Sequence, residues 1–215
     1  MSAVPKAEDI AEELIKVTEN TEFQTGLKRS VRMFTTKVEE VLRERPEAQR
    51  LAEEVRKVRE HVIKNLEEYI NKTLEAVRKN GAKAYLARDK GELLRIVKSI
   101  IGDCKGKIIV KSKSMVSEEV MLREHLEEEG CEVWETDLGQ FLVQLANEKP
   151  MHPVVPALHM SRERVARLLK SKGLNASEDM SIEELVKLVR AFLREKFINA
   201  DIGITGANSL SLIHI

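Results

Sequence analysis

The stretch that decides the fold is Ile108–Glu119, IIVKSKSMVSEE. Its β-branched opening reads as a strand, Lys111-Ser112-Lys113-Ser114 as a polar cationic turn, and Ser117 onward as a helix. A strand feeding a helix through such a turn places unpaired backbone N–H groups and the positive end of the helix dipole beside two lysines. That is a seat for an anionic ligand, and Lys111, Ser112, Lys113 and Ser114 are the first binding candidates. The competing reading is a solvated turn with Ser117 as N-cap, in which Glu118 and Glu119 only complement the dipole.

Outward from this stretch the chain alternates. Lys83–Ala87 reads as a strand. A helix follows, opened by a capping box of Asp89 and Glu92, buried through Leu93, Leu94, Val97, Ile100 and Ile101, and closed by Gly102. Lys107–Lys111 is the next strand, Ser117–Glu129 a helix ended by Gly130, Cys131–Glu135 a strand, and Leu138–Ala146 an amphipathic helix. Pro153–Leu158 reads as an edge strand because of its prolines. Two further helices run Ser161–Ser171 and from the capping box at Ser181–Glu184 to Asn199, the latter burying Ile182, Leu185, Val186, Val189, Phe192 and Leu193. A last strand is Asp201–Thr205. The alternation predicts an α/β fold, a parallel sheet with helices on both faces. Ligands of such sheets bind at the carboxyl ends of the strands. Lys111–Ser114, Thr136-Asp137 and Thr205-Gly206 fall at that edge.

Residues from about Glu8 to Asn80 read as helix, with a break at Pro46. Within Ala48–Lys79, Leu51, Val55, Val58, Val62, Leu66, Ile70, Leu74 and Val77 recur at steps of three and four, one apolar stripe on one long helix. The stripe needs a cover, either the domain behind it or another subunit.

Charged residues make up 33% of the chain and aromatics 4%, a balance that suits a helix-rich protein. Basic and acidic residues number 36 each, so no global field draws in nucleic acid or an acidic membrane. No stretch approaches the roughly 20 apolar residues of a membrane span, and the N-terminus lacks the apolar core of a signal peptide. Cys104 and Cys131 read as a free thiol pair in a reducing cytosol, which places the protein in the cytoplasm.

Three segments together carry a likeness: IVKSKSMVSEE at Ile109–Glu119, GCEVWETDLGQFLVQLANEKPMHPVVPALH at Gly130–His159, and KFINADIGITGAN at Lys196–Asn208. In order and spacing they resemble the LUD-domain lactate utilization protein B family, iron–sulfur subunits of a bacterial system that oxidises L-lactate to pyruvate. The likeness covers about Val55 to Asn208 and implies a sheet of the ribose-phosphate isomerase and CoA-transferase type. It also implies other lactate-utilization subunits as partners and [4Fe–4S] clusters in a later cysteine-rich segment. Each cluster takes four thiolates, and this chain has two cysteines, so no cofactor is expected in it.

The expected layout is a helical region over 1–80, a partial LUD-type α/β domain over 81–208 and a tail over 209–215. Leu210–Ile215, LSLIHI, is what CTG TCT CTT ATA CAC ATC encodes, which resembles a transposase adapter of sequencing libraries; the competing reading is a natural apolar C-terminal strand. The reading is therefore a truncated N-terminal fragment, without redox activity of its own.

The remaining candidates lie around the strand ends. Glu135 and Asp137 flank Thr136 and are candidates for a base, although strand alternation would aim them apart. His152 and His159 have no regular spacing, and no metal site is expected. Thr205 with Gly203 and Gly206 invites a phosphate-loop reading, but GITGAN lacks the G-x-G-x-x-G and Walker patterns. The binding candidates are thus Lys111, Ser112, Lys113, Ser114, Glu135, Thr136, Asp137, His159, Thr205 and Gly206. No catalytic residue is assignable. Three functions follow: a lactate-oxidation electron-transfer subunit; an isomerase or CoA-transferase-like enzyme with Lys111 or Lys113 on an anionic small molecule and Glu135 or Asp137 as base; or an assembly module docking through the long helix.

Overall fold

A computed structural model describes residues 7–148, 150 and 155–206. His152 and the tail over 209–215 lie outside the described residues. The described residues divide into two compact units, one drawn from residues 7–30 and 101–206 and the other residues 31–100.

The first unit carries the sheet. Three parallel strands, β1 (Ile108–Lys111), β2 (Glu132–Glu135) and β3 (Ile202–Ile204), lie in the order β2-β1-β3. In register, Ile108 pairs with Glu132 and Lys111 with Glu135, and Lys111 pairs with Ile204 on the other side. This is the α/β architecture expected, with helices α6 (Met115–Glu119), α7 (Leu122–Glu128), α8 (Leu138–Ala146), α9 (Arg162–Ser171) and α10 (Ile182–Asn199) around it. The start of α2 (Thr21–Glu44) and α1 (Ala7–Glu19) also belong here.

Side chains alternate across a strand, so Trp134 and Glu135 serve opposite faces. On the Trp134 face, Phe141, Leu142, Leu169, Leu185, Val189 and Leu193 build the core. Trp134 meets Phe192 edge-on with ring centroids 5.1 Å apart, and Lys196 lies over the indole at 4.6 Å. The Glu135 face receives α6 and α7, with Leu122 and Leu126 buried. The free edge of β2 is covered by one side chain. Gln144 donates to the Val133 carbonyl at 2.6 Å and accepts from the Glu135 amide at 3.0 Å, imitating the next strand.

The caps explain most boundaries. Asp137, Ser161 and Ser181 each accept from the backbone amide three residues on, and Ser181 with Glu184 completes its capping box. Gly102, Gly130 and Gly173 end their segments at positive φ. The helix after β1 departs from expectation. It begins at Met115, because Ser114 rather than Ser117 is the cap. It then breaks at Met121, whose φ of 55° starts α7. Pro153–Leu158 is no edge strand over its described part. Val155 accepts from the Leu158 amide at 3.2 Å, a turn with Pro156 at its favoured second position. Ile182 is exposed rather than buried.

The cysteines are a second correction. Cys104 and Cys131 form a disulfide, with Cα atoms 4.9 Å apart. Parallel pairing brings the entries of β1 and β2 together, and the turn closed by Lys107 donating to the Cys104 carbonyl at 3.1 Å folds Cys104 back toward Cys131. The free-thiol reading fails because residues 27 apart in sequence are joined by the register.

The second unit holds the rest of α2, α3 (Glu47–Lys64), α4 (Leu66–Lys79) and α5 (Lys90–Ile101) as far as residue 100. The predicted single helix is broken at Asn65, whose φ of −119° and ψ of 34° leave the helical region while its side chain donates to the His61 carbonyl at 2.8 Å. Neither α3 nor α4 buries a residue. Lys83–Ala87 is not a strand: among the described residues this unit contains none, so the segment has no ladder to join. Asp89 caps α5 by accepting from Glu92 at 2.8 Å, but the Glu92 carboxylate reaches Arg88 instead of the cap itself. Ile100 is exposed.

Candidate functional site

Lys111 ends β1 as a fully buried ammonium, an arrangement that costs several kcal/mol unless the charge is paired. Pairing Lys111 with Glu135 on the neighbouring strand sets the two side chains on one face. The Lys111 ammonium stands 2.8 Å from Oε1 and 3.1 Å from Oε2 of Glu135, and 2.8 Å from Oε1 of Glu118 on α6. Glu135 is 2% exposed, whereas the Glu118 side chain is 34% exposed. Burial pushes the Glu135 carboxyl up to about 7; the Lys111 ammonium opposes that rise, and the Glu118 charge adds to it. The group can therefore gain or lose a proton near neutrality.

The turn around this cluster is tied down by hydrogen bonds. Ser112 accepts from Gly206 N–H at 3.2 Å and lies 3.0 Å from the Thr205 hydroxyl, and its amide donates to the Ile204 carbonyl at 2.8 Å. Thr136 donates its hydroxyl to the Lys111 carbonyl at 3.0 Å. Ser114 caps α6, and Gly206 packs so closely on it that a Cβ there would overlap the Ser114 side chain. The phosphate-loop reading of GITGAN thus gives way to a close backbone approach that only glycine permits.

The structure brings Lys111, Ser112, Ser114, Glu135, Thr136, Thr205 and Gly206 together at the carboxyl edge. Asp137 stands beside them as the cap of α8. His159 is elsewhere: Nε2 lies 3.1 Å from Glu148, which Arg164 also contacts, and the ring packs near Phe23. Lys111 cannot grip an anionic substrate, because two carboxylates already hold its charge. At the start of α6, which is 5 residues long, the Ser114 hydroxyl accepts from the Ser117 amide.

Beside the cluster lies a recess of about 290 Å³, lined by Lys113, Met115, Glu118, Glu119, Gln140 and Pro150. Glu118 therefore joins the buried pair to solvent. A second recess, about 490 Å³, is floored by Leu142, Val165, Leu185 and Val189. Arg162 on its rim is engaged by the Glu178 and Met180 carbonyls, and no charged cluster like that of Lys111 lines it. Sequence reasoning missed Glu118 as a partner and Gln140 altogether. One signal was present: a lysine closing a β-branched run at a buried strand end requires a carboxylate nearby.

The family model of the LUD domain matches residues 70–211. Lactate utilization protein B of Bacillus subtilis (strain 168) is 45% identical over 152 residues, 70% of this chain and 32% of that protein. Proteins of the same name from Bacillus cereus (strain AH820) and Bacillus thuringiensis (strain Al Hakam) are 41% identical over the same length and shares. The chain spans about a third of the length of the curated relatives it matches. No solved structure matches.

Proposed function

The chain belongs to the LUD domain family, and on that premise we propose that it is the LUD portion of a lactate-utilization iron–sulfur subunit. In this reading it takes part in oxidising L-lactate to pyruvate, alongside other subunits of the same system in the cytoplasm, and electrons pass to clusters held outside this chain. The observation that carries the reading is the identity of 41–45% over 152 residues with proteins named lactate utilization protein B.

The residues present do not fit a cluster themselves. Two cysteines cannot supply four thiolates, and Cys104 and Cys131 are bonded to each other. Among the described residues no group of three or more His, Cys, Asp and Glu could hold a metal ion. The chain's contribution is a buried, ion-paired platform at the strand ends and a partner surface. No helix among the described residues is long and apolar enough to cross a membrane. With the cysteines bonded, the cytoplasmic placement rests on the family resemblance.

A hybrid tests the reading. Residues 70–211 replace the matched segment of the Bacillus subtilis relative in a strain lacking that gene. Growth on L-lactate is the expected result. A hybrid that accumulates normally but leaves the strain unable to use L-lactate refutes it.

The assembly reading gains from one observation. Leu51, Val55, Val58 and Leu66 remain exposed on α3 and α4, Val58 at 62%. A stripe so placed suits another lactate-utilization subunit.

A further inference from the structure

The larger recess, about 490 Å³, falls within the range of about 300–1,000 Å³ typical of small-molecule sites. Leu142, Leu185 and Val189 are buried at its floor, while Leu138 and Ile182 at its edge are exposed. Its charged lining residues are Arg29, Arg162 and Glu163. The Arg162 guanidinium donates to the Glu178 and Met180 carbonyls and to the Glu163 carboxylate at 2.7 Å. Ser161, also in the lining, accepts from the Arg164 amide at 3.2 Å. Of the polar lining residues, Arg29 alone has no hydrogen bond or ion pair to another described residue. Two contacts seat the start of α2 here. Phe23 packs on His159 with ring centroids 6.1 Å apart. Gly26 lies so close that a Cβ there would stand 3.2 Å from the Leu158 carbonyl oxygen and 3.4 Å from the His159 Cα. Arg29 follows Gly26 by three residues and shares its side of the helix. The chain running on from His159 brings Met160 and Ser161 to the same recess.

We propose that this recess binds a small aliphatic monocarboxylate, its chain laid on Leu142, Leu185 and Val189 and its carboxylate accepting from the Arg29 guanidinium. The Arg162–Glu163 pair cancels within the lining, which leaves one cationic charge for one anionic head. An ammonium of the same shape would meet Arg29 with no free carboxylate to hold it. An alcohol would leave the guanidinium without a counter-charge. An aliphatic chain in this position would also cover Leu138 and Ile182, the latter 60% exposed. The site goes beyond the role in lactate oxidation and does not rest on it.

Calorimetric titration of the whole chain with sodium hexanoate, n-hexylammonium chloride and 1-hexanol tests it, with the Val186 and Val189 methyl signals followed by NMR. Saturable binding of hexanoate, tighter than that of either other probe, is expected, with shifts at both valines. From butyrate to hexanoate each added methylene should tighten binding about two- to fourfold, the scale of burying one CH2 group. Arg29→Gln, at an exposed position, should weaken hexanoate about tenfold, the scale of one charge-assisted hydrogen bond. Val186→Phe, which fills the recess from α10, should weaken it as well. The proposal is overturned if folded protein shows no saturable hexanoate binding, or if n-hexylammonium or 1-hexanol binds as tightly. It is equally overturned if chain length has no effect, or if either substitution in folded protein leaves the affinity unchanged. The hybrid strain reads the lactate role separately, so the two failures are distinguishable.

Discussion

Lys111 and Glu135 stand side by side on paired parallel strands, both buried, with Nζ within 2.8 Å and 3.1 Å of the two carboxylate oxygens. The pair joins the carboxyl ends of β1 and β2 as the Cys104–Cys131 bond joins their entries. The strand register is thus held from both ends.

Removing one partner should be far worse than removing both. Lys111→Met leaves Glu135 buried without its cation and should cost about 3–5 kcal/mol in denaturant unfolding. Lys111→Met combined with Glu135→Leu should recover most of that loss. A double variant as unstable as the single one would mean the pair contributes more than mutual neutralisation.

The pair also predicts a pH dependence. The folded-state Glu135 carboxyl is pushed up to about 7, above the ordinary value of 4.5. Between these values the native state binds more protons than the unfolded chain, so this group's contribution to stability falls as pH rises from about 4.5 to about 7. Stability measured across that window should decline less for Glu135→Gln than for the parent protein. Parallel curves would show that Glu135 titrates at its ordinary value.

Reduction should loosen the first unit. A cross-link between cysteines 27 residues apart restricts the unfolded chain, worth about 3–4 kcal/mol in the loop-entropy account. Dithiothreitol should lower the melting temperature of the parent protein and leave that of Cys104→Ala/Cys131→Ala unmoved. Equal melting in both redox states would show that the bond contributes nothing to stability.

The two glycines of the last strand should behave differently. Gly206→Ala forces a Cβ into the Ser114 side chain and should cost about 1–3 kcal/mol, the range for overpacking. Gly203 has no heavy atom within 4 Å of the position a Cβ would take, so Gly203→Ala should be tolerated. Denaturation midpoints of the two variants decide the matter.

Val58 offers a test of the exposed stripe. Val58→Asp should leave the unfolding transition nearly unchanged, since α3 buries no residue, yet, under the proposed assembly role, weaken co-purification with partner subunits. Unchanged recovery would remove the assembly role from this face.

Local chemistry made much of this protein legible from its sequence. Ser161 and Ser181 announced helix starts, and Gly102, Gly130 and Gly173 announced helix ends, because caps and left-handed turns are decided within a few residues. The β-branched runs at Ile108, Glu132 and Ile202, separated by amphipathic helices, sufficed for a parallel α/β sheet. Lys111 and Glu135 were recognisable as strand-end residues for the same reason. What remained hidden depends on register and on packing between distant segments. That Lys111 faces Glu135, that Cys104 meets Cys131, that Gly206 lies on Ser114, and that Gln140 is buried without a partner are all long-range facts. The same limit explains Lys83–Ala87, whose composition suits a strand but whose unit has no strand to pair with it. A side chain's partners, and therefore its charge state and availability to a ligand, are set by which strands pair and in what register, which only the folded chain decides.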